Sequence, residues 1–459
     1  MTRFESIDTR FRHIQPPVPN PDSAAIVNEL RQLEPRSMSG FASLVWDRAE
    51  GFQVWDCCGN MWLDFSSGVI LTNAGHANTH ISQAIRAQLE TNLFFAYCNP
   101  HAVRLKVIKA LRQVLPAYLD KVFLLTTGSE AVEAAIKLAR LHGQSVAPGK
   151  IYILSYLGAF HGRTMASQAA GGFLEQQTWM GEIPGGFLHI PYPDCARCPW
   201  GKTAYDSCGQ ECLERSLDQV RRESGVTDDL FACVMTETFP GPTCAFMPLD
   251  YVQALRRWTT QNDALLIFDE IQAGFGRTGR WFGFEHYRVE PDLITMGKGM
   301  TSSLPMSAVA GRAAIMDLPP YGEMSSTHTG NPLCCAATVA NIEAIRDEGL
   351  VENAAAMGEV VRQSLTQLRQ EYPRHVGGIH GKGLAQAVYL TDPVTGGLNP
   401  ELAGGVIGRC LELGLLLLPT GGRSTIKVAP PLCITEEAIK EGFSVISQAM
   451  TECLADAGR

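Results

Sequence analysis

Between residues 121 and 311 the chain repeatedly drives a short apolar run into an abrupt polar or glycine-rich break. KVFLLTTGSE, KIYILSYLGAFHG, FACVMTETF, ALLIFDEIQ, DLITMGKG and SAVAGR all take this form, with helically spaced stretches between them. One such stretch, AVRLKVIKALRQVL (102–115), sets Val103, Leu105, Val107, Ile108, Leu111 and Leu115 at amphipathic spacing. Short buried strands alternating with helices build an α/β domain around a mostly parallel sheet. Ligands of such sheets bind just beyond the carboxyl ends of the strands. The residues at those ends therefore carry the functional question.

The bulk properties exclude several classes. At 459 residues, 45% hydrophobic and 19% charged, the chain has the size and balance of a two-domain globular protein. Its net charge of −9 argues against nonspecific nucleic-acid binding, and no apolar run is long enough to span a membrane. The N-terminus mixes both charge signs with prolines and has no apolar signal core. Fourteen cysteines then read as thiols or metal ligands rather than a disulfide framework. A cytoplasmic protein is expected.

The first ~40 residues read as an arm, because PPVPNP (16–21) can neither continue a helix nor pair as a ladder strand. FQVWDCCGNMWLDFSSG (52–68) alternates like a hairpin around its CGN turn. The expected division is an arm and part of a small domain over 1–75, a large domain over 76–340, and a C-terminal small domain over 341–459. No internal repeat is evident.

Four strand ends collect unusual chemistry. TGSE (127–130) opens a helix, where backbone N–H groups favour an anion; plain capping by Thr127 or Ser129 is the simpler explanation. GAFHG (158–162) offers an aromatic ring and a histidine, both ordinary core residues when taken alone. Asp269 and Glu270 end an apolar run, and an acid there is costly unless a cation or strong donor meets it. A helix cap, or a nearby arginine such as Arg277 or Arg280, would suffice. Lys298 stands between two glycines directly after a strand, where a surface lysine is unexpected and a nucleophilic one is apt. Pyridoxal phosphate accounts for all four together: it needs a lysine, an acid for its ring nitrogen, an anion cradle and a flat residue on the ring face. No Walker GxxxxGK[ST] or Rossmann GxGxxG order is present.

The ordered set TGSEAVEAAIKLAR, GAFHGRT, FDEIQAGFGRTG, DLITMGKG, THTGNP and APPL resembles the class III, ω-type (subgroup II) aminotransferases of pyridoxal-phosphate fold type I. The likeness runs over nearly the whole chain. It implies a large domain with a mostly parallel seven-stranded sheet, plus a smaller α+β domain. It also implies Lys298 as the Schiff-base lysine and Asp269 as the partner of the ring nitrogen. Gln272 matches the contact to the phenolic oxygen, Phe160 the ring-stacking aromatic, and Gly128 and Ser129 the phosphate turn. Glu237 matches a glutamate near the cofactor, and Glu270 becomes a structural acid. Thr327 matches the hydroxyl that reaches the phosphate of a neighbouring subunit, which implies a homodimer or dimer of dimers. The implied reaction is ping-pong transfer of an amino group from an amine or amino acid to a 2-oxo acid.

The chain departs from that pattern at two places. Many members carry E-P-x-Q-G-E-G-G where this chain has ETFPGPTC (237–244), so the second glutamate is Pro242. The arginine usual before APPL is Lys427, a point charge without a bidentate fork. In the family, that arginine binds the substrate α-carboxylate and the glutamate gates it. Arg423 lies nearby in sequence as an alternative. An amino-acid racemase or epimerase, or a decarboxylase, is the second reading.

CARCPWGKTAYDSCGQEC places Cys195, Cys198, Cys208 and Cys212 as C-x₂-C-x₉-C-x₃-C. Four soft ligands so spaced could hold zinc or an iron–sulfur cluster. The resemblance adds that animal GABA aminotransferases hold an iron–sulfur centre on a related CxxC. A thiol-rich surface loop, with one disulfide at most, is the simpler alternative, and no metal is assigned. The adjacent pairs Cys57–Cys58 and Cys334–Cys335 are expected to diverge into separate core positions.

Overall fold

The computed structural model describes residues 6–38, 44–181, 185–202, 208, 211–419 and 424–457. Arg423 lies outside them. The chain forms two compact units: residues 80–241 with 245–348, and residues 1–79 with 242–244 and 349–459. No helix among the described residues is long and apolar enough to cross a membrane.

The first of these units holds a seven-stranded sheet. In chain order its strands are β1 (Lys121–Leu125), β2 (Tyr152–Tyr156), β3 (Phe187–Ile190), β4 (Phe231–Glu237), β5 (Leu265–Asp269), β6 (Leu293–Met296) and β7 (Ser307–Gly311). Across the sheet the order is β1-β7-β6-β5-β4-β2-β3, and β7 alone runs antiparallel to its neighbours. Every residue of β4, β5 and β6 is buried, as expected of central strands covered on both faces.

Helix α1 (Gly128–Val146) packs on this sheet through a strip of small residues, including Ala131, Ala135 and Ala139, against Cys233, Met235, Ile267 and Val309. Small side chains let the helix approach closely. At Gly143 a Cβ would sit 2.1 Å from the Lys150 carbonyl oxygen and 2.9 Å from Ala232 Cβ. Packing at that distance fixes where the helix begins, which is at the carboxyl edge of the sheet.

In the other unit, a six-stranded sheet contains the expected hairpin, with Gln53–Trp55 antiparallel to Met61–Asp64. A second sheet is three-stranded and antiparallel, pairing Val376–Lys382 with Ala385–Leu390 and the latter with Thr425–Val428. Helices Leu350–Glu371, Pro400–Glu412 and Glu436–Ala457 pack with these strands and with each other. This unit is α+β.

Two expectations fail locally. Cys57 and Cys58 are exposed, because Asp56 Oδ1 folds the hairpin turn by accepting from Cys58 N and Asn60 N and leaves the tip in solvent. Cys335 is buried and Cys334 half-buried, so only Cys335 takes a full core position. In helix Ala102–Val114, Leu105 is 56% exposed, so the apolar face is narrower than the spacing suggests.

The close approach at Gly143 gives a direct test. Gly143→Ala is expected to lower stability by about 3 kcal/mol through overpacking. Gly408→Ala, in a helix with open space around the position, is expected to be neutral or slightly stabilising. Denaturant midpoints of the two variants decide it.

Candidate active site

The carboxyl ends of β4, β5 and β6 lie side by side, with Glu237 opposite Asp269 and Asp269 opposite Thr295. Three polar side chains thus meet where apolar strands stop. Asp269 is 5% exposed. Its Oδ1 accepts from Ile271 N and Thr295 Oγ1, each at 3.1 Å, and its Oδ2 lies 2.8 Å from His161 Nδ1. The charge beside Asp269 is therefore a histidine from the loop after β2, not a nearby arginine.

His161 is the residue that sequence reasoning passed over. Burial pulls its imidazole towards the neutral form, but the hydrogen bond to Asp269 and the charges of Asp269 and Glu237 prevail and raise its pKa. Its Nε2 is buried without a partner. The only sequence signal was its place at a strand end, and its partner lies 108 residues away.

Glu237 accepts from Phe160 N at 3.0 Å and Gly241 N at 3.1 Å. Burial pushes its carboxyl up to about 7; the His161 charge and the two backbone donors pull the other way, and Asp269 adds to the rise. Glu270, next along the chain from Asp269, binds elsewhere. It accepts from Thr238 Oγ1 and Phe284 N on one oxygen and from Gly283 N at 2.7 Å on the other. It fastens the loop at 282–284, and burial raises its pKa to about 8.

Thr127 caps α1 through a capping box with Glu130, whose Oε2 accepts from Thr126 N and Thr127 N. The cap fixes the turn, so the N–H groups of the helix N-terminus at Gly128 and Ser129 face outward beside the cavity that both residues line. Ser129 Oγ accepts from Arg163 N, and Gly162 leaves room for it: a Cβ there would lie 2.5 Å from the Ser129 and Ser167 hydroxyls. At Gly241 a Cβ would lie 2.8 Å from Gln272 Nε2.

Lys298 follows β6 with φ of +43°, a left-handed conformation that costs a non-glycine residue about 1–2 kcal/mol. The turn is pinned from helix α2 (Pro332–Asp347). There the buried Asn341 Nδ2 donates to Gly299 O at 2.9 Å and Met300 O at 3.0 Å. Backbone strain held in place by a buried side chain suits a lysine that must present its amine in one direction.

Gly128, Ser129, Phe160, Glu237, Asp269, Gln272 and Lys298 all line one cavity of about 210 Å³, together with Thr127, His161, Gly162 and Ile271. Thr327 is exposed and does not line it; its neighbour Ser326 donates to Glu130 Oε1. The donor set fits pyridoxal phosphate. An amine, a carboxylate, a helix N-terminus with hydroxyls and an aromatic ring surround a space that also holds a buried, unpartnered imidazole nitrogen.

Both departures from the aminotransferase pattern lie in the other unit. Pro242 O accepts from Thr425 Oγ1 at 3.1 Å, and Thr425 shares a strand with Lys427, which is 2% exposed. The substituted positions are thus neighbours in space.

Comparison with known proteins agrees with this geometry. Residues 36–450 match the aminotransferase class-III family model. The leucine/methionine racemase of Thermococcus litoralis is 34% identical over 417 residues, covering 90% of this chain and 91% of the relative. The 2-aminoadipate transaminase of Pseudomonas putida is 32% identical, covering 87% of this chain and 94% of the relative. Among solved structures, the omega transaminase from Pseudomonas jessenii in complex with PMP has a TM-score of 0.86 at 26% identity, covering 94% of this chain and 99% of that one. The chain belongs to the class-III aminotransferase family, pyridoxal-phosphate-dependent transferases of fold type I.

Proposed function

We propose that this enzyme moves an amino group between an amine or amino acid and a 2-oxo acid in a ping-pong cycle, with Lys298 as its proton carrier. The carrying observation is one cavity that sets the Lys298 amine and the Asp269 carboxylate together. When bound, pyridoxal phosphate draws off the electron pair left on the substrate's α-carbon as the proton departs.

The chain supplies the rest. Lys298 would hold the cofactor, and its free amine takes the α-proton and returns one. Asp269 favours a protonated ring nitrogen, with its own orientation fixed by Thr295, Ile271 and His161. Gln272 would meet the phenolic oxygen, Phe160 the ring face, and the Gly128–Ser129 turn the phosphate. Glu237, held by Phe160 N and Gly241 N, positions Phe160. Thr327, exposed on its own chain, would serve the phosphate of a second subunit, so the working form is a homodimer or a dimer of such dimers. A cytoplasmic setting is supported by fourteen cysteines, none in a disulfide.

Racemisation is the second reading. It is favoured by the similarity to a racemase and by Pro242 and Lys427 standing where the glutamate–arginine switch would be. Incubation with single amino donors and no acceptor separates the two. Amino transfer releases about one oxo acid per site and then stops. Racemisation releases none while optical purity falls.

Two variants test the assignments. Lys298→Ala should lose at least about 10³-fold in turnover; normal turnover would sink the mechanism. Glu237, with a folded pKa near 7 against 4.5 as its ordinary value, keeps a proton that the unfolded chain releases. Its contribution therefore erodes stability as pH rises from about 4.5 to 7. His161, also raised, keeps its stabilising charge below its ordinary value of 6.5 and loses it only at higher pH. In the cofactor-stripped enzyme, Glu237→Gln should flatten the decline of the denaturation midpoint between about pH 5 and 6.5 and leave the decline above 6.5 that is due to His161.

A further inference from the structure

We propose that Cys195, Cys198, Cys208 and Cys212 together ligate one metal centre, a zinc ion or an iron–sulfur cluster, beside the edge strand β3. All four side chains line a single cavity of about 30 Å³, away from the cofactor site. Cys195 and Cys198 come from the short 3-10 turn after β3 and the residue that follows it. Cys212 lies in the first turn of helix Glu211–Ser224, and Cys208 just before it. The other three thiols each bear electrostatically on Cys195. None of the four is in a disulfide.

The surroundings are built as a metal site would need. Asp194 Oδ1 accepts from Ala196 N, and Gly201 N donates to Cys198 O, so the CxxC arm is a closed knuckle. The two arms are clamped together. Lys202 Nζ lies 3.4 Å and Arg215 Nη2 2.7 Å from Glu211 Oε2, and the Arg215 guanidinium lies 5.7 Å from the Trp200 ring centre. Trp200 also lines the cavity, and its buried Nε1 has no acceptor. A metal-bound thiolate is the acceptor that such an N–H serves in the outer shell of a metal site.

The sulfurs ring the cavity rather than meet. Among the described residues, the one trio of potential ligands whose atoms all lie within 4.8 Å is Asp22, Cys57 and Cys58. A zinc tetrahedron would draw the four sulfurs to about 3.8 Å from one another and release their protons. An iron–sulfur core, built with inorganic sulfide, would hold them further apart.

The test is elemental analysis of the holoenzyme, purified without chelator from zinc- and iron-replete medium. About one zinc per chain, or iron with matching acid-labile sulfide, is expected. That metal should vanish in Cys195→Ser/Cys198→Ser and in Cys208→Ser/Cys212→Ser, and persist in Cys57→Ser/Cys58→Ser. Because the first two variants can misfold, the enzyme carrying Cys57→Ser/Cys58→Ser is also titrated with a mercurial, which should release the metal as about four thiols react beyond the exposed Cys98, while the cofactor stays bound. Metal well below one centre per chain, metal lost only with Cys57 and Cys58, or no release on titration would each overturn the proposal. The cofactor content, measured in parallel, keeps this result separate from the aminotransferase reading.

Discussion

A carboxylate at the end of a fully buried strand is the constraint around which the large unit is arranged. Asp269 has solvent access of only 5%, so its charge must be met by donors that the fold carries to it. The loop after β2 brings His161, β6 brings Thr295, and the backbone at Ile271 closes the third bond. Each comes from a different stretch of sequence, so forming the sheet in its observed register is also what solvates the acid. One direction remains for a ligand cation, towards the cavity that Lys298 lines.

The two acids of the FDE sequence divide labour at the point where β5 ends. Asp269 turns towards the cavity, while Glu270 turns into the protein and collects Thr238, Gly283 and Phe284. They are adjacent in sequence, but their carboxylates accept from different donors, although Thr295 also takes the Glu270 N–H on its carbonyl oxygen. Similar economy appears at Lys298. Its left-handed backbone is held by Asn341, a buried side chain on a helix that lines no part of the cavity.

Much of this was legible in the sequence where chemistry and local structure share a few residues. The strand-then-turn pattern at TTGSE, FDEIQ and MGKG placed Asp269, Gln272 and Lys298 at strand ends, and the structure brings them to one cavity. A mostly parallel sheet was legible in the alternation of strands and helices, but the strand order was not, and the antiparallel sense of β7 has no signal in SAVAGR. His161 was not legible because its role depends on a contact across 108 residues. The exposure of Cys57 and Cys58 was missed because a hairpin tip looks apolar until Asp56 is seen to fold the turn. Thr327 is exposed and stands outside the cavity that the other site residues share.

In the proposed mechanism Asp269 keeps a positive charge on the cofactor's ring nitrogen. The most direct test of this role is turnover by Asp269→Asn, measured with pyridoxal phosphate and again with the N-methylated cofactor, whose ring charge is permanent. The account predicts a loss of about 10²-fold or more with the ordinary cofactor and substantial recovery with the methylated one. Full activity with the ordinary cofactor, or a loss that the methylated cofactor does not relieve, would contradict it and leave Asp269 as a structural acid.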